Sequence, residues 1–514
     1  MGKTISNNLF ELVHSLSSSE KRYFKYFVSK HIGKENQLSL KLFDLIAKNP
    51  QKSGPELEKK IKFTKHPSRL KNYLYQIILD ALENYRASNS FNIMIRKNIN
   101  RVELLYEKAL YKQCVQEAAK CLKQAEEIDS QQFKIEIINW YINALKIFED
   151  KKSKKRISEL YALRETAINK LKLEAEYSKI GNKVFEIIKQ VGSTGTNKTE
   201  KLLNEIMDNP LMSDYSFATS FMSKKDFNSI SANFYQYMSD AKKMQRYIYQ
   251  NVELYEAYPK RKETDQYNYI TLLNNYALSC ARLQQFDKAN DYFQKLKEVI
   301  PNSEQIKIKI FEYVSCNYLD VLMNTGKLNE ASKMIPEIEA GFKNYGNKIT
   351  PLFKRVISSN VCSLAFYIKE YKLALKYNNI VLEGGDKLFR SDVYRFGRLM
   401  NLMILFKLDK TGNLEGFLRS YKHYLSINNK IYNLERWFLN FYSKLLIEEN
   451  KAFTIEELNS LAGVLKKSSE YYFLDNFNIL AWIKSETSSL KIGELLNEYS
   501  LLGFEIFTSK YASS

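Results

Sequence analysis

The sequence predicts an all-α fold, an α-solenoid of helical hairpins that follows an N-terminal helical module. Three observations lead to this prediction: helix-breaking residues are few, apolar residues are spaced as on one face of a helix, and one pattern recurs every 42 or 43 residues. They divide the chain into residues 1–90, 91–429 and 430–514, and the recurring pattern is clearest over 226–426.

Helix-breaking residues are scarce throughout the chain. Its 514 residues include 17 Gly and 8 Pro, about one residue in twenty, whereas soluble proteins contain roughly one in eight. Hydrophobic residues make up 45% of the chain, which is enough for a large core. This composition favours long helices joined by short turns.

Residues 1–90 have the pattern of a compact helical module. Ser17 and Glu20 have the spacing of a capping box, which begins a helix by satisfying its first N–H groups. Apolar residues after Pro67 recur three and four positions apart, which indicates an amphipathic helix. The predicted helices cover residues 21–29, 38–48, 55–61 and 67–82.

The segment 273–301 carries the clearest internal repeat. It contains two alanines, two phenylalanines and a final proline: Ala277, Ala289, Phe286, Phe293 and Pro301. This pattern resembles the tetratricopeptide repeat, a 34-residue pair of antiparallel helices. The resemblance implies that the two alanines lie where the paired helices cross, that the phenylalanines hold the family's aromatic positions and that the proline closes the unit. The Trp and the first Gly typical of that family are replaced by Leu273 and Ala277.

The same frame recurs along the chain. The position that Ala289 holds in this segment is held in the preceding unit by Tyr247 and in the following units by Ala331, Ala374 and Phe417. The steps of 42, 42, 43 and 43 residues exceed the family's 34, so each unit is expected to have longer helices or loops. A looser unit lies at 104–128, others are expected over 133–173 and 174–209, and residues 430–511 are expected to form a terminal cap.

An asparagine recurs in this frame, two residues before the first small position. The four residues are Asn233, Asn275, Asn317 and Asn360. The resemblance implies that this position faces the concave groove of the first helices, where an amide can both donate and accept hydrogen bonds. Four such amides could hold the backbone of an extended peptide. The alternative is that asparagine is common in this chain and is simply solvated there.

Aromatic residues in the repeats fall into two groups. Several tyrosines, such as Tyr235, Tyr276 and Tyr318, occupy the same interhelical position of successive units, which favours core packing over a base-stacking platform. Phe366 and Tyr367 are instead expected to face the groove, where they could anchor a ligand side chain.

The chain is basic, with 78 Lys and Arg, 58 Asp and Glu, and a formal net charge of +20. Residues 55–82 read as a possible helix-turn-helix whose second helix opens beside basic side chains. The candidate contacts to nucleic acid are Lys62, Lys65, Arg69 and Lys71. The alternatives are an ordinary packing module and a charge that serves solubility.

Motifs for catalysis are absent from the sequence. The four histidines have no metal-ligand spacing with Cys or carboxylates, and no Gly-rich phosphate loop or Gly-x-Ser-x-Gly elbow occurs. Cys114 and Cys121 lie seven residues apart on one helix face and are predicted to be core thiols. We therefore expect no enzyme activity, no cofactor and no metal. The alternative is an enzyme whose catalytic groups converge from distant parts of the chain.

The residues also bear on location and partners. The five cysteines are odd in number and lack paired spacing, which fits a reducing compartment, so we expect a cytoplasmic protein. No run of 18 apolar residues occurs, so we expect no membrane insertion. The composition resembles that of AT-rich bacterial coding sequences. The resemblance implies a scaffold or adaptor that binds a protein or peptide in the groove. The alternative is a repeat-containing regulator whose basic module binds DNA or RNA.

Overall fold

The computed structural model describes most of the chain and is helical wherever it has regular structure. The described residues are 4–30, 34–49, 61, 64, 66–87, 91–191, 197–383, 391–408, 411–428, 432–445, 454–468, 474 and 477–511. Within these ranges there is no β-strand, so the all-α prediction is confirmed.

The chain folds into two compact units. Unit 1 comprises residues 1–238 and 250–266, and unit 2 comprises residues 239–249 and 267–514. The boundaries predicted at residues 90 and 429 fall inside these units.

Unit 1 begins with four helices that share one hydrophobic cluster, which extends from Leu9 to Ala81. These helices are α1 (Thr4–Ser15), α2 (Ser18–Ser29), α3 (Lys34–Ala47) and α4 (Pro67–Ala87). The predicted capping box is confirmed, because the Ser17 hydroxyl accepts the Glu20 N–H at 3.2 Å and the Glu20 carboxylate accepts the Ser17 N–H at 2.9 Å. The helix expected at 55–61 lies outside the described residues except for Ile61.

The rest of unit 1 consists of further helices, the first four of which share a second hydrophobic cluster, from Ile95 to Leu160. They are α5 (Phe91–Glu107), α6 (Tyr111–Glu127), α7 (Gln131–Leu145), α8 (Lys151–Val191), α9 (Asn197–Met207), α10 (Pro210–Ser213), α11 (Phe221–Tyr237), part of α12 (Ala241–Ala257) and α13 (Pro259–Thr264). Cys114 and Cys121 lie in this cluster as predicted, and burial raises the pKa of the Cys121 thiol to about 11.

Helix α8 corrects one sequence-based expectation. Repeat units were expected over 133–173 and 174–209, but residues 151–191 form one uninterrupted helix of 41 residues. It contains no proline, and Gly181 is its only glycine. Because one glycine costs only about 1 kcal/mol, it does not end a helix that packs against its neighbours.

Unit 2 is a succession of helical hairpins in which neighbours along the chain pack on one another. Its first helices are α14 (Gln266–Arg282), α16 (Glu304–Tyr313) continued by a π-helical turn (Val314–Tyr318) and α17 (Leu319–Asn324), α20 (Pro351–Tyr367) and α22 (Ser391–Lys407). Its second helices are α15 (Phe286–Glu298), α18 (Leu328–Lys333) with α19 (Ile335–Tyr345), α21 (Tyr371–Leu382) and α23 (Thr411–Asn428). The helices α24 (Asn433–Leu445), α25 (Ile455–Ser468), α26 (Ile479–Thr487) and α27 (Ile492–Tyr511) follow.

A left-handed residue recurs in the turns between helices. It stands two positions before the next helix and has a φ between 44° and 71° at Ala109, Asp129, Ser239, Gln284, Gly326 and Lys369. At all of these except Ser239, the following N–H donates to the carbonyl five residues earlier, at 2.8–3.0 Å. This is the Schellman motif, which satisfies the last carbonyls of a helix and reverses the chain. The hairpins therefore share one turn geometry.

A buried ion pair connects the later helices of unit 2. Glu435, which has no exposed surface, accepts hydrogen bonds from the Arg395 guanidinium on both oxygens. The Tyr421 hydroxyl donates to the same carboxylate at 2.8 Å, and the Tyr432 N–H donates at 3.0 Å. Each oxygen of the carboxylate thus accepts two hydrogen bonds, which offset the cost of burying its charge.

The C-terminal segment, residues 477–511, returns to hairpins far upstream in unit 2. The Asn478 N–H donates to the Tyr367 hydroxyl at 2.7 Å, and Glu486 forms an ion pair with Lys407. Gln284, in the left-handed turn between α14 and α15, donates to the carbonyls of Ser500 and Leu501 at 3.1 and 3.0 Å.

Gly503 explains why those carbonyls accept a side chain. Its backbone is not helical (φ 71°, ψ 177°), so α27 is interrupted there. An interruption leaves carbonyls of the preceding turn without helical partners. The Gln284 amide supplies partners for two of them.

Two glycines bring the C-terminal segment against a hairpin turn. A Cβ atom at Gly326 would lie 1.9 Å from the Gly493 carbonyl oxygen, and a Cβ at Gly493 would lie 2.8 Å from the Gly326 oxygen. Gly326 also has a φ of 71°. Both backbone approach and backbone conformation therefore require glycine at position 326.

Candidate functional site

The recurring asparagines lie on the first helices, with very different exposure. In unit 2, Asn275 on α14 is exposed, Asn317 in the π-helical turn is half-buried, and Asn360 on α20 is only 8% exposed. Asn233 lies on α11 in unit 1, where it is exposed. The asparagine side chain is thus exposed to solvent on some of these helices and buried on others.

Within unit 2 the amides are hydrogen-bonded to neighbouring hairpins. The Asn317 side-chain amide donates to the side-chain oxygen of Asn274 at 2.7 Å, and the Asn274 side-chain amide donates to the side-chain oxygen of Asn275 at 3.2 Å. Asn360 donates to the backbone carbonyl of Cys316 at 2.9 Å. Asn360 is therefore a structural contact between hairpins, while Asn275 keeps its exposed amide N–H groups.

The asparagine position coincides with the π-helical turn of residues 314–318. An extra residue in a helical turn disturbs its hydrogen bonds, and such turns occur frequently at functional sites. Here Cys316 offers its carbonyl to Asn360, and Asn317 is turned toward Asn274.

Aromatic and basic side chains pack beneath and beside these asparagines, and Tyr313 is only 8% exposed. The Thr271 and Tyr313 hydroxyls lie 3.0 Å apart, and the Lys309 ammonium lies 4.7 Å from the Tyr313 ring and 4.3 Å from the Phe353 ring. Burial raises the pKa of Tyr313, which stays neutral at physiological pH. These contacts support a rigid surface.

Tyr267 is a residue of this surface that sequence reasoning missed. It is 53% exposed and lies eight residues before Asn275, with Thr271 midway between them. Spacings of four and eight residues place all three on one side of α14. That spacing is visible in the sequence and could have identified Tyr267. We call Tyr267, Thr271, Asn275, Tyr313 and Asn317 the first-helix face.

Phe366 and Tyr367 require a correction, because the structure places them in the interior of unit 2 rather than on an open groove. They are 1% and 6% exposed. Phe477 stacks on the Tyr367 ring with centroids 4.5 Å apart, and Trp482 lies 5.3 Å from the Phe366 ring. The C-terminal segment therefore occupies the position that a ligand side chain was expected to take.

The candidate nucleic-acid contacts are only partly described. Arg69 is exposed in the first turn of α4, and Lys71 is half-buried. Lys62 and Lys65 lie outside the described residues. A cleft of about 170 Å³ adjoins Arg69 and is lined also by Leu38, Thr64, His66, Leu70 and Tyr73.

A second group of polar side chains lies inside unit 1. Asp129 forms an ion pair with Lys134 at 2.6 Å and accepts the Phe221 N–H at 2.8 Å. Burial opposes ionisation of Asp129, but these hydrogen bonds outweigh it and lower its pKa. Burial raises the pKa of both Glu174 and Asp226, and the Glu174 Oε1 has no hydrogen-bond partner in the described part of the chain.

Replacing Glu174 with Gln is expected to stabilise the protein at neutral pH. The raised pKa means that folding favours the protonated carboxyl, so stability falls as pH rises through the folded-state pKa. Glutamine removes this loss. In urea unfolding, the gain in stability of E174Q over wild type should grow as the pH rises from about 4 to 7. The control is Glu176→Gln, on the exposed side of α8, which should leave the slope unchanged. Equal slopes for wild type and E174Q would contradict the prediction.

No cluster of three or more His, Cys, Asp or Glu side chains in the described ranges could hold a metal ion. No described helix combines the length and the apolar character needed to span a membrane.

The chain was also compared with known proteins. No protein-family model, curated protein or solved structure matches it.

Proposed function

We propose that the protein is a non-catalytic scaffold or adaptor whose unit 2 is a tetratricopeptide-like solenoid that binds a protein or peptide partner. The observation that carries this proposal is the first-helix face. There, exposed Asn275 and half-buried Asn317 stand on successive first helices, 42 residues apart, beside the exposed Tyr267. The five free, buried cysteines fit a protein of the reducing cytoplasm.

The chemistry of this face suits an extended peptide. An asparagine amide offers two donors and an acceptor, which match the N–H and C=O groups of a peptide backbone. A tyrosine ring adds a large apolar contact at low cost in side-chain entropy, and such aromatic residues dominate the energetics of many interfaces. The hydrogen bonds between hairpins hold Asn317 and Asn275 in place before a partner binds.

Only the exposed asparagines of unit 2 are placed to contact a partner. Asn360 is buried and its amide is used by the Cys316 carbonyl, so it serves the fold. The partner would contact Tyr267, Asn275 and the exposed part of Asn317. Removal of the Asn317 amide would leave the buried Asn274 without its donor, so a binding test should leave Asn317 intact.

The double substitution Tyr267→Ala and Asn275→Ala is expected to weaken partner binding at least tenfold, since truncation of one anchoring aromatic costs about 2 kcal/mol. Thermal stability should fall only slightly, by about 1–2 kcal/mol, because both side chains are exposed and the one hydrogen bond lost is the 3.2 Å bond that Asn275 accepts from the buried Asn274 amide. The measurement is affinity capture from native cells with quantitative mass spectrometry, followed by titration of the purified partner. The control is Asn329→Ala with Ile300→Ala, which removes an exposed amide and an exposed apolar side chain elsewhere in unit 2.

Two results would count against this function. Partners captured equally by wild type and the double variant would exclude the first-helix face as the binding surface. Sequencing of nucleic acid in the same captures tests the alternative function, a regulator that binds DNA or RNA. Nucleic acid that is enriched with wild type, released by salt and lost in Arg69→Ala would favour a nucleic-acid-binding regulator.

A further inference from the structure

A cleft of about 240 Å³ lies on unit 2, between the π-helical turn and the second helices beside it. The residues that line it come from α15, α16 with its π-helical turn, α19 and Met334, which connects α18 to α19. Those that define its chemistry are Lys297, Lys307, Ile310, Phe311, Glu337 and Tyr345. None of them belongs to the first-helix face, so the cleft is independent of the proposed scaffold function.

The floor of the cleft is apolar and is formed by one side of α16. Lys307, Ile310, Phe311 and Val314 follow the spacing of a single helix face. The Phe311 ring lies 5.3 Å from the Tyr345 ring. A Cβ atom at Gly341 would lie only 2.1 Å from Phe311, so the absence of a side chain there lets the ring pack closely against α19. The aromatic wall of the cleft is thereby fixed.

The rim of the cleft carries two lysines without ion pairs. Lys309 pairs with Glu312 at 3.1 Å, and Lys348 pairs with Glu304 at 2.9 Å. Lys297 and Lys307, by contrast, form no ion pair with any residue in the described part of the chain. Lys297 is in contact range of one aromatic ring only, with its ammonium 6.0 Å from the Tyr318 centroid.

We propose that this cleft binds a small molecule with an apolar body and one carboxylate. The apolar floor would take the body, and the two unpaired ammonium groups would take the carboxylate. The volume lies just below the usual range for ligand pockets, roughly 300–1,000 Å³, which limits the body to about the size of one aromatic ring. Glu337 on the rim adds a site for an ammonium group, so the same chemistry can come from a simple acid or from an apolar amino acid.

The test uses phenylacetate and L-phenylalanine as probes of the full-length protein, with binding measured by calorimetry. At least one should bind saturably. The neutral analogue, phenylacetamide, should bind at least tenfold more weakly than phenylacetate. The double substitution Lys297→Met and Lys307→Met keeps the aliphatic stems but removes both charges, and it should weaken carboxylate binding at least tenfold. Lys333→Met with Lys343→Met, exposed lysines of α18 and α19 outside the cleft, is the matched control and should bind as wild type does.

The two sources of the carboxylate are separated by Glu337→Gln. Tighter binding of L-phenylalanine that is lost in E337Q identifies an amino acid as the ligand. Tighter binding of phenylacetate that is unchanged or improved in E337Q identifies a simple acid. The proposal is overturned if neither probe binds saturably, if phenylacetamide binds as well as phenylacetate, or if the lysine double variant, with an unchanged circular dichroism spectrum, binds as wild type does.

Discussion

Replacing Gly326 with alanine is expected to lower the free energy of unfolding of unit 2 by roughly 3 kcal/mol. A left-handed backbone costs an alanine about 1–2 kcal/mol, and insertion of an atom into a filled contact costs about 1–3 kcal/mol. Both apply, because φ is 71° and the new Cβ would lie 1.9 Å from the Gly493 oxygen. The clash would displace the C-terminal segment as well as strain the turn.

Urea unfolding followed by tryptophan fluorescence measures this effect, since Trp482 in the C-terminal segment packs on Phe366. The matched control is Gly416→Ala on α23, where an added Cβ meets no atom within 4 Å. Because alanine is a better helix former than glycine, this variant should gain about 0.5–1 kcal/mol. A G326A variant as stable as wild type would show that residues 326 and 493 are not in contact in solution.

Replacing Glu435 with glutamine is expected to cost about 3 kcal/mol or more, because it leaves the Arg395 guanidinium charged and uncompensated in the interior. The Tyr421 hydroxyl and the Tyr432 N–H would also lose a charged acceptor. The urea midpoint of unit 2 should fall accordingly.

The double substitution Arg395→Met and Glu435→Leu separates the cost of an unpaired charge from the value of the pair itself. Apolar residues of similar size commonly replace a buried ion pair without loss. We therefore expect the double variant to recover part of the stability lost in E435Q. Recovery is incomplete because leucine leaves the Tyr421 hydroxyl and the Tyr432 N–H without an acceptor. A double variant less stable than E435Q would show that the ion pair, together with the two donors that its carboxylate satisfies, stabilises the fold.

The helices could be predicted from sequence because their signals are local. The capping box at Ser17 and the apolar stripe after Pro67 each predict a helix from adjacent residues, and both helices are present. The turns were harder to predict. A glycine such as Gly326 indicates a turn, because glycine adopts the left-handed conformation easily. The same conformation is adopted by Gln284 and Lys369, whose residue types do not favour it.

The candidate site could be predicted only in part, because exposure depends on residues distant in sequence. The 42-residue step located Asn275 and Asn317 on successive first helices. The same step gave no means of distinguishing Asn360, which is buried against Cys316. Phe366 and Tyr367 are covered by Phe477 and Asn478, more than 100 residues later, and no local pattern predicts that contact.

The long-range contacts of the C-terminal segment distinguish unit 2 from an open-ended repeat array. In such arrays each repeat touches only its neighbours, so repeats can be gained or lost during evolution with little penalty. Here Gln284 bonds to residues 216 and 217 positions later, and Gly326 meets Gly493. Insertion or loss of one hairpin between these partners would shift the closing segment by a whole repeat. The number of hairpins in unit 2 is therefore fixed by its own closure.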